Sequence, residues 1–432
     1  MSMAKPKGFR EFRFGWPVVL ASTIGIGLGM SPLPFYTIGV FAIPLGEEFG
    51  WGIDRVMASL LVFTASGFVM SPIIGHIADR VGVRKVVLFS IVTFSLSLMA
   101  FALNNGSYPL FLMLWGLLGV FGAGTLPMTW TRAVTGWFHE RRGLALGIAL
   151  VATGLFGSLA KLYAAAMVDA FGWRSAYVAV GALPLFIAFP LALVAFRPVD
   201  DPKVAVKVAK LRESVPALFR GPANGMPLAA ALRDWRFWLL GYVFLPVSFA
   251  IGGPIPNLER MLVSKGFTLD DAVLLASLIG FSVMAGRLVG GYLLDRLWAP
   301  AVAAVILSLP AISCLMLQGE GHGFLWAATA ICILGAAAGV EYDLIAYVVS
   351  RYFGMRSYAA IYGCLYAFFA AGAGLGPLIF GRAFVKLGSY DPALIAAGIA
   401  FVAGAVPLLL LGPYREFEGD RPVVVLAARA AS

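Results

Sequence analysis

The sequence predicts an all-α membrane protein of twelve transmembrane helices, arranged as two pseudo-symmetric six-helix bundles. Three observations support this fold class. Of the 432 residues, 60% are hydrophobic and only 12% are charged, about half the charged fraction of a soluble domain. Twelve apolar runs each approach or exceed the roughly 20 residues that a membrane-spanning helix requires. A charged motif also recurs at corresponding places in the two halves of the chain.

The twelve runs define the predicted spans, which must be helical because lipid cannot satisfy unpaired backbone groups. The first run is too long for a signal-peptide core. We expect an N-terminal bundle (1–196), a linker (197–234), a C-terminal bundle (235–414) and a tail (415–432). The spans are expected at about 16–45, 56–78, 84–103, 108–131, 143–168 and 174–196, then at 236–260, 269–294, 299–318, 323–350, 357–384 and 391–413.

The placement of lysine and arginine predicts the orientation of the spans. The termini and the even-numbered loops hold 23 of the 32 basic residues. Both termini are therefore expected in the cytoplasm, and the protein in the inner membrane of a cell. The net charge of +10 is then a sign of topology, and no nucleic-acid partner is expected.

No cofactor, metal or catalytic cluster is expected from the sequence. The cysteines lie in apolar runs, and the histidines are too far apart along the chain to show the spacing of metal ligands. We find no nucleophile–base pair and no phosphate loop, which argues against an enzyme. The residues concerned are Cys314, Cys332, Cys364, His76, His139 and His322.

The segment 75–85, after the second span, combines glycines with an aspartate and several basic residues, and its first part is repeated after the eighth span. Asp79 and Asp295 are 216 residues apart, as are Gly147 and Gly363. The plainest role of such a basic loop is to fix topology, and its aspartate can also cap a neighbouring helix. The segment resembles the hallmark G-x-L-A-D-R-x-G-R-R of the major facilitator superfamily. That resemblance implies a gating latch built from Gly75, Asp79, Arg80, Gly82, Arg84, Asp295 and Arg296.

A second segment, 137–149, enters the fifth span with an aromatic pair, two arginines and the pattern Gly-Leu-Ala-Leu-Gly-Ile-Ala. It resembles the monocarboxylate transporter branch, including the bacterial members that are similar to oxalate/formate exchangers. The end of the first span, 41–51, resembles that branch too. The resemblance implies transport of small organic anions, most simply mono- or aromatic carboxylates.

Arg287 is the most informative charge inside an apolar run. Burying an unpaired charge in a bilayer is costly, so an intramembrane charge indicates a functional site by default. Arg287 precedes Asp295 by eight residues, or about 12 Å of helix, which places it near the midplane. Its planar guanidinium matches a carboxylate. The resemblance implies that Arg287 binds the substrate carboxylate, and the alternative is a structural ion pair with a neighbouring helix.

Glu341 and Asp343 lie in the tenth span at a depth similar to that of Arg287. Burial disfavours the charged form of a carboxylate, so either acid could carry a proton and compete with the substrate for Arg287. The two acids are about 200° apart around a helix, so they cannot face the same side. The sequence leaves open which of them is the proton-coupling residue and which is structural.

Further candidates for the substrate cavity are Lys161, Tyr36, Tyr362 and Tyr366. Lys161 either adds a second positive charge or extends to water at the membrane surface. Tyr36 lies where the animal carriers of the resembled branch place a lysine, which favours an aromatic or larger acid over lactate. Arg132, near the end of the fourth span, is expected to extend to the membrane surface in the same way.

The leading function is secondary active transport of a small carboxylate by alternating access, with protons as the coupling ion. The expected partners are the substrate, protons and the lipid bilayer, and the protein is expected to be a monomer. Carboxylate exchange and efflux of another small organic solute remain alternatives. A membrane sensor built on a transporter scaffold is the alternative from another class.

Overall fold

The computed structural model describes residues 9–199, 201, 204, 225–415 and 417. Ten helical stretches in these ranges are long and apolar enough to cross a membrane. One of them, Arg142–Ala195, contains two spans because Gly172 breaks its helical backbone with a φ of 77°. The first span is not among the ten because a break divides it into two helices. The twelve predicted spans are therefore all present in the described part of the chain.

The spans, numbered in chain order, have the following helices. In the first half they are Phe9–Gly27 and Leu33–Phe49 (span 1), Ile53–Val81 (span 2), Val83–Met99 (span 3), Tyr108–Gly122 and Pro127–Trp137 (span 4), and Arg142–Leu183 with Phe189–Ala195 (spans 5 and 6). In the second half they are Trp235–Gly252 and Pro254–Ser264 (span 7), Leu269–Arg296 (span 8), Ala299–Ser308 and Pro310–Met316 (span 9), Phe324–Tyr352 (span 10), Tyr358–Leu387 (span 11) and Asp391–Ala405 (span 12).

Span 1, expected as one run, is interrupted between Gly27 and Leu33, and this interruption meets a similar one in span 4. The Met30 N–H, which the break leaves without a helical partner, donates to Thr125 Oγ1 at 2.9 Å. Thr125 ends a short 3₁₀ turn, and the extended residue after it precedes Pro127, which disfavours a helical neighbour. Side-chain hydroxyls thus satisfy the backbone groups that a broken helix exposes in the membrane.

The two halves meet at one end of the bundle and separate toward the other. Successive glycines of span 5 show this. A Cβ at Gly143 would overlap the Gly291 carbonyl oxygen of span 8. One at Gly147 would lie 2.6 Å from the Arg287 carbonyl oxygen, and one at Gly154 would lie 4.0 Å from the nearest atoms of span 8. The halves therefore diverge with distance from this end. We call the contact end, where Asp79 and Asp295 lie, the motif end.

The segment between the halves is described only at its two ends. Most of the predicted linker (197–234) and almost all of the predicted tail (415–432) lie outside the described residues. Where the chain is described again, Gly225 forms an isolated antiparallel bridge with Gly354, in the loop between spans 10 and 11. The predicted division into two bundles and a linker stays a prediction for those segments.

Candidate functional site

Arg287 is placed by an unusually close packing of spans 8 and 10. A Cβ at Gly339 would lie 3.0 Å from the Arg287 backbone nitrogen, and one at Gly286 would overlap the Ala336 carbonyl oxygen. Glycines at these positions let the two helix backbones touch, as small residues do in membrane interfaces. The side chain of Arg287 is only 3% exposed. The sequence therefore buries a permanent cation between two tightly packed helices.

Asp343 of span 10 is the partner of this buried arginine. Arg287 Nη1 lies 3.4 Å from Asp343 Oδ1, and Asp343 is completely buried. Among the described residues, Arg287 Nε and Asp343 Oδ2 have no hydrogen-bond partner. The ion pair is thus long and leaves one polar atom of each member available to another group.

Glu341, the other candidate acid, faces away from Arg287. The residues of span 10 that touch span 8 include Gly335, Gly339 and Val340, and Asp343 continues that face. Glu341 lies about 200° around the helix from Asp343. It is 1% exposed, and its Oε1 has no hydrogen-bond partner among the described residues. The structure thus assigns the ion pair to Asp343 and turns Glu341 away from span 8.

The Arg287–Asp343 pair lies against the opposite half of the protein. A Cβ at Gly147 of span 5 would lie 3.5 Å from Asp343 Oδ2. Tyr36 of span 1 is also within electrostatic range of Arg287, and its ring packs on Gly157 of span 5. The pair therefore sits where the two halves meet.

Aromatic side chains surround the guanidinium on the C-terminal side. The Tyr342 ring centre is 5.6 Å from the guanidinium carbon of Arg287, a cation–π contact. Tyr362, fully buried, is within electrostatic range of Arg287 and Asp343, and its hydroxyl has no hydrogen-bond partner in the described ranges. The Tyr366 ring lies 6.3 Å from that of Tyr342. The structure thus gathers three of the four predicted cavity residues, Tyr36, Tyr362 and Tyr366, near Arg287.

Lys161, the fourth, is not part of this cluster. It is exposed and lies one helical turn beyond Gly157, on the face of span 5 against which Tyr36 of span 1 packs. No ion-pair partner for it occurs among the described residues. Along span 5, Lys161 lies farther from the motif end than Gly147, which meets Arg287.

The aspartates of the repeated motif join the halves at the motif end. Asp79 of span 2 accepts hydrogen bonds from the N–H groups of Ala359 and Ala360, at 3.2 and 2.8 Å, at the start of span 11. Asp295 of span 8 accepts from Gly143 and Leu144, at 2.6 and 3.0 Å, at the start of span 5. Each carboxylate therefore caps a helix N-terminus of the opposite half, where the helix dipole favours negative charge.

Among the described residues, the other motif residues form no such hydrogen bonds between the halves, and only the backbone at Gly75 packs against the opposite half. Gly82 has a φ of 98° and makes the turn between spans 2 and 3, a conformation that favours glycine. Arg84 pairs with Asp201 at 2.6 Å, within the first half and the start of the linker. Arg296 packs on the Tyr292 ring, one turn away in span 8. Arg80 is exposed. Gly75 does reach across, because a Cβ there would overlap the Ala359 carbonyl oxygen.

Two charged residues at the motif end have roles that the sequence did not reveal. Arg132 does not extend to the membrane surface as expected, because its Nε lies 3.0 Å from Asp79 Oδ1 and the side chain is largely buried. Glu11 of span 1 accepts from three consecutive backbone N–H groups, those of residues 139, 140 and 141, just before span 5. Both contacts join residues far apart along the chain, which leaves no local sequence signal beyond the presence of a charge in an apolar surrounding.

Comparison with known proteins agrees with this architecture. Residues 24–377 match the Major Facilitator Superfamily. The chain is 24% identical to a benzoate transport protein of Acinetobacter baylyi, over 94% of this chain and 91% of that protein. It is 26% identical to monocarboxylate transporter 11 of Homo sapiens, over 93% of this chain and 83% of that protein.

Among solved structures, the fucose:proton symporter FucP of E. coli has a TM-score of 0.67 at 14% identity. The alignment covers 93% of this chain and 99% of that one, and it shows a shared fold. The relatives and the structural neighbour are transporters, not enzymes. The match covers well over half of the chain. The chain therefore belongs to the Major Facilitator Superfamily and is a multi-pass membrane transporter.

Proposed function

We propose that the protein is a secondary active transporter of small organic anions bearing a carboxylate, which works by alternating access with Arg287 as the anchor for the anion. The observation that carries this proposal is the Arg287–Asp343 pair, buried where the two halves meet. Its 3.4 Å separation is longer than the roughly 2.7–2.9 Å of a tight charge-assisted hydrogen bond. A pair this loose can be replaced by a better-placed ligand.

The chemistry of the site suits a carboxylate ligand. The guanidinium of Arg287 offers donors in a planar fork that two carboxylate oxygens can bind together. Its Nε has no partner among the described residues. A bound carboxylate would accept hydrogen bonds from Nε and one terminal nitrogen of Arg287. Asp343 would then lose its ion-pair partner.

Proton symport follows as the proposed coupling. Once the substrate holds Arg287, a charged Asp343 would be left buried and unpaired, which is costly unless it takes up a proton. One proton would then bind with each monoanion, and both would leave together when the halves rock to expose the site on the other side. Carboxylate exchange is the alternative coupling, in which a second anion and not Asp343 returns to Arg287.

The relatives support the substrate class, since one is a benzoate transport protein and another a monocarboxylate transporter. If the basic motif end lies in the cytoplasm, as the charge pattern predicts, the divergence of the halves opens the site to the outside. In the inner membrane, this is the arrangement from which uptake begins.

The first experiment is thermal stabilisation of the detergent-purified protein by a panel of mono- and dicarboxylates. Arg287→Gln is measured alongside, with Arg356→Gln, an exposed arginine in the loop before span 11, as the matched control. We expect at least one acid to stabilise the wild type and the control but not Arg287→Gln. Equal stabilisation of Arg287→Gln would refute the anchor, and stabilisation by cations or neutral solutes alone would refute the carboxylate assignment.

A further inference from the structure

Two neighbouring residues of span 10 contact the same guanidinium. Asp343 lies against one terminal nitrogen of Arg287, with Oδ1 3.4 Å from Nη1. Tyr342, the residue before it, presents its ring to the guanidinium, with the ring centre 5.6 Å from the guanidinium carbon. Successive residues of a helix point about 100° apart, so the carboxylate and the ring approach the cation from different directions. The position of Arg287 therefore depends on both contacts and not on the ion pair alone.

The Tyr342 ring is held in place by two rings of span 11. Phe369 packs edge-on against it, with centres 4.5 Å apart, and the Tyr366 ring lies 6.3 Å away. Those two rings stack on each other at 5.4 Å, and both side chains are largely buried. Tyr342 therefore cannot withdraw from Arg287 without displacing buried rings.

The ring also gives a physical reason for the length of the ion pair. The backbones of spans 8 and 10 touch, so the separation of the helices does not keep the two charges apart. Cation–π attraction acts on the cation as a whole and requires no particular N–H group. The Tyr342 ring can therefore attract the guanidinium without occupying a donor, and Arg287 Nε has no hydrogen-bond partner among the described residues.

The helix contact beneath this site is built in the same way in the first half. A Cβ at Gly335 of span 10 would lie 2.7 Å from the Ser282 Cβ of span 8. A Cβ at Gly119 of span 4, 216 residues earlier, would lie 2.7 Å from the Ser66 Cβ of span 2. The repeated contact shows what the packing of these helices needs in both halves.

The cation, the acid and the ring do not belong to that repeated contact. The residues 216 positions before Arg287, Asp343 and Tyr342 are Ser71, Pro127 and Leu126. All three side chains are therefore additions of the second half, where they contact one another. This relates the Tyr342 ring to the cation and not to the packing that the halves share.

We propose that Tyr342 is a positioning residue for the substrate anchor: its ring holds Arg287 away from Asp343, so that the ion pair stays loose enough for a substrate carboxylate to displace. Without the ring, the guanidinium would move toward Asp343 and form a tight charge-assisted hydrogen bond. The substrate would then compete with a stronger internal partner. This inference rests on the proposed carboxylate function and adds the residue that sets the strength of the competing ion pair.

Thermal-shift titrations of the full chain in detergent measure this competition as an affinity. The probe is whichever of benzoate, acetate and succinate stabilises the wild type most. Tyr342→Leu removes the ring and keeps an apolar side chain, and its matched control is Tyr242→Leu, at a 55% exposed position of span 7. We expect Tyr342→Leu to weaken binding about tenfold. Tyr342→Phe, which restores the ring, should recover most of that loss, and the control should bind as the wild type does.

The same change in the Asp343→Asn background separates positioning from other roles. Arg287 then has no carboxylate to move toward, so adding Tyr342→Leu should weaken binding less than about twofold. A ring that touched the substrate, or that only supported the fold, would weaken binding similarly in both backgrounds.

A third comparison leaves the shape of the site nearly unchanged, so it does not depend on the stability of these variants. Mono-, di- and trifluorinated phenylalanine are incorporated at position 342 in the otherwise unaltered chain. Each fluorine withdraws electron density from the ring face and weakens its attraction for a cation. The affinity should fall stepwise from phenylalanine to the trifluorinated form, by about tenfold in total.

The results that would overturn the inference differ in what they leave standing. If Arg287→Gln abolishes binding but fluorination has no effect, or Tyr342→Leu acts equally in both backgrounds, Tyr342 does not position the anchor and the carboxylate function stands. If none of the three acids stabilises the wild type, the inference fails together with the function on which it rests.

Discussion

Ser71 and Arg287 occupy equivalent positions in the two halves, 216 residues apart, and each lies against a glycine of the opposite half. A Cβ at Gly363 would overlap the Ser71 carbonyl oxygen, and one at Gly147 would lie 2.6 Å from the Arg287 carbonyl oxygen. The Ser71 hydroxyl donates to the Gly363 carbonyl at 3.0 Å. The close helix contact therefore needs only a small polar side chain, as the first half shows. The charge at Arg287 is therefore not needed for this helix contact itself.

The first prediction concerns the stability of the buried pair. Asp343→Asn leaves a cation that cannot lose its proton, whereas Arg287→Gln leaves a carboxyl group that can gain one. We expect Asp343→Asn to lower the free energy of unfolding by about 3–5 kcal/mol, and Arg287→Gln to lower it less. The double variant should recover most of the loss. The free energy of unfolding of all four proteins is measured by denaturation in detergent. A double variant no more stable than Asp343→Asn would contradict this account.

The second prediction concerns coupling to protons. Asp343→Asn removes the group that would exchange a proton for Arg287, so net uptake into proteoliposomes should lose its dependence on external pH. Counterflow of labelled against unlabelled substrate should persist. Glu341→Gln, in the same span but facing away from span 8, is the matched control and should keep the pH dependence. The proposed scheme would be wrong if Asp343→Asn retained full pH dependence, or if only Glu341→Gln lost it.

The third prediction concerns closure at the motif end. Gly75→Ala would place a methyl group on the Ala359 carbonyl oxygen. This oxygen belongs to a helix backbone, so it cannot move aside. The halves should then open at this end and close at the other. Spin labels at the exposed positions Arg80→Cys and Arg356→Cys, with native cysteines replaced, should move apart. Gly136→Ala, whose Cβ would make only an ordinary 3.5 Å contact with Val199, should leave the label distance unchanged.

The fourth prediction distinguishes the roles of two carboxylates, Glu11 and Asp295, that accept hydrogen bonds from backbone N–H groups around the start of span 5. Glu11 caps residues 139–141 from within the first half, and Asp295 caps Gly143 and Leu144 from the second. Glu11→Ala should lower the free energy of unfolding by about 1–3 kcal/mol, because buried donors lose their partner in every state. Asp295→Asn should mainly shift the label distance at the motif end. Similar effects of both variants on stability and distance would show that the two caps are not distinct.

Much of the architecture was predictable because apolar length and charge placement are local properties of the sequence. The span count and the repeat depend on the number of residues between charged and apolar segments, and the helical rise converts that number into a length. The break in span 1 was less apparent. Its prolines and glycines are tolerated in membrane helices, and only the contact with Thr125 shows where the helix stops.

The sequence alone could not identify which acid forms the ion pair with Arg287. Glu341 and Asp343 lie at nearly the same depth, and the choice depends on how span 10 is rotated about its axis. Close packing at Gly335 and Gly339 against span 8 sets that rotation. The same holds for Arg132, whose partner Asp79 comes from another helix.

By itself, the sequence determined that this chain has twelve apolar spans in two related halves and an arginine inside one of them. Those properties follow from apolar run length and from the cost of an intramembrane charge. Only the tertiary structure decided that Asp343 is the partner of Arg287 and that Lys161 stands apart. It also decided that Tyr36 and Tyr342, from different halves, lie near the cation, because contacts between distant helices depend on their rotation and approach.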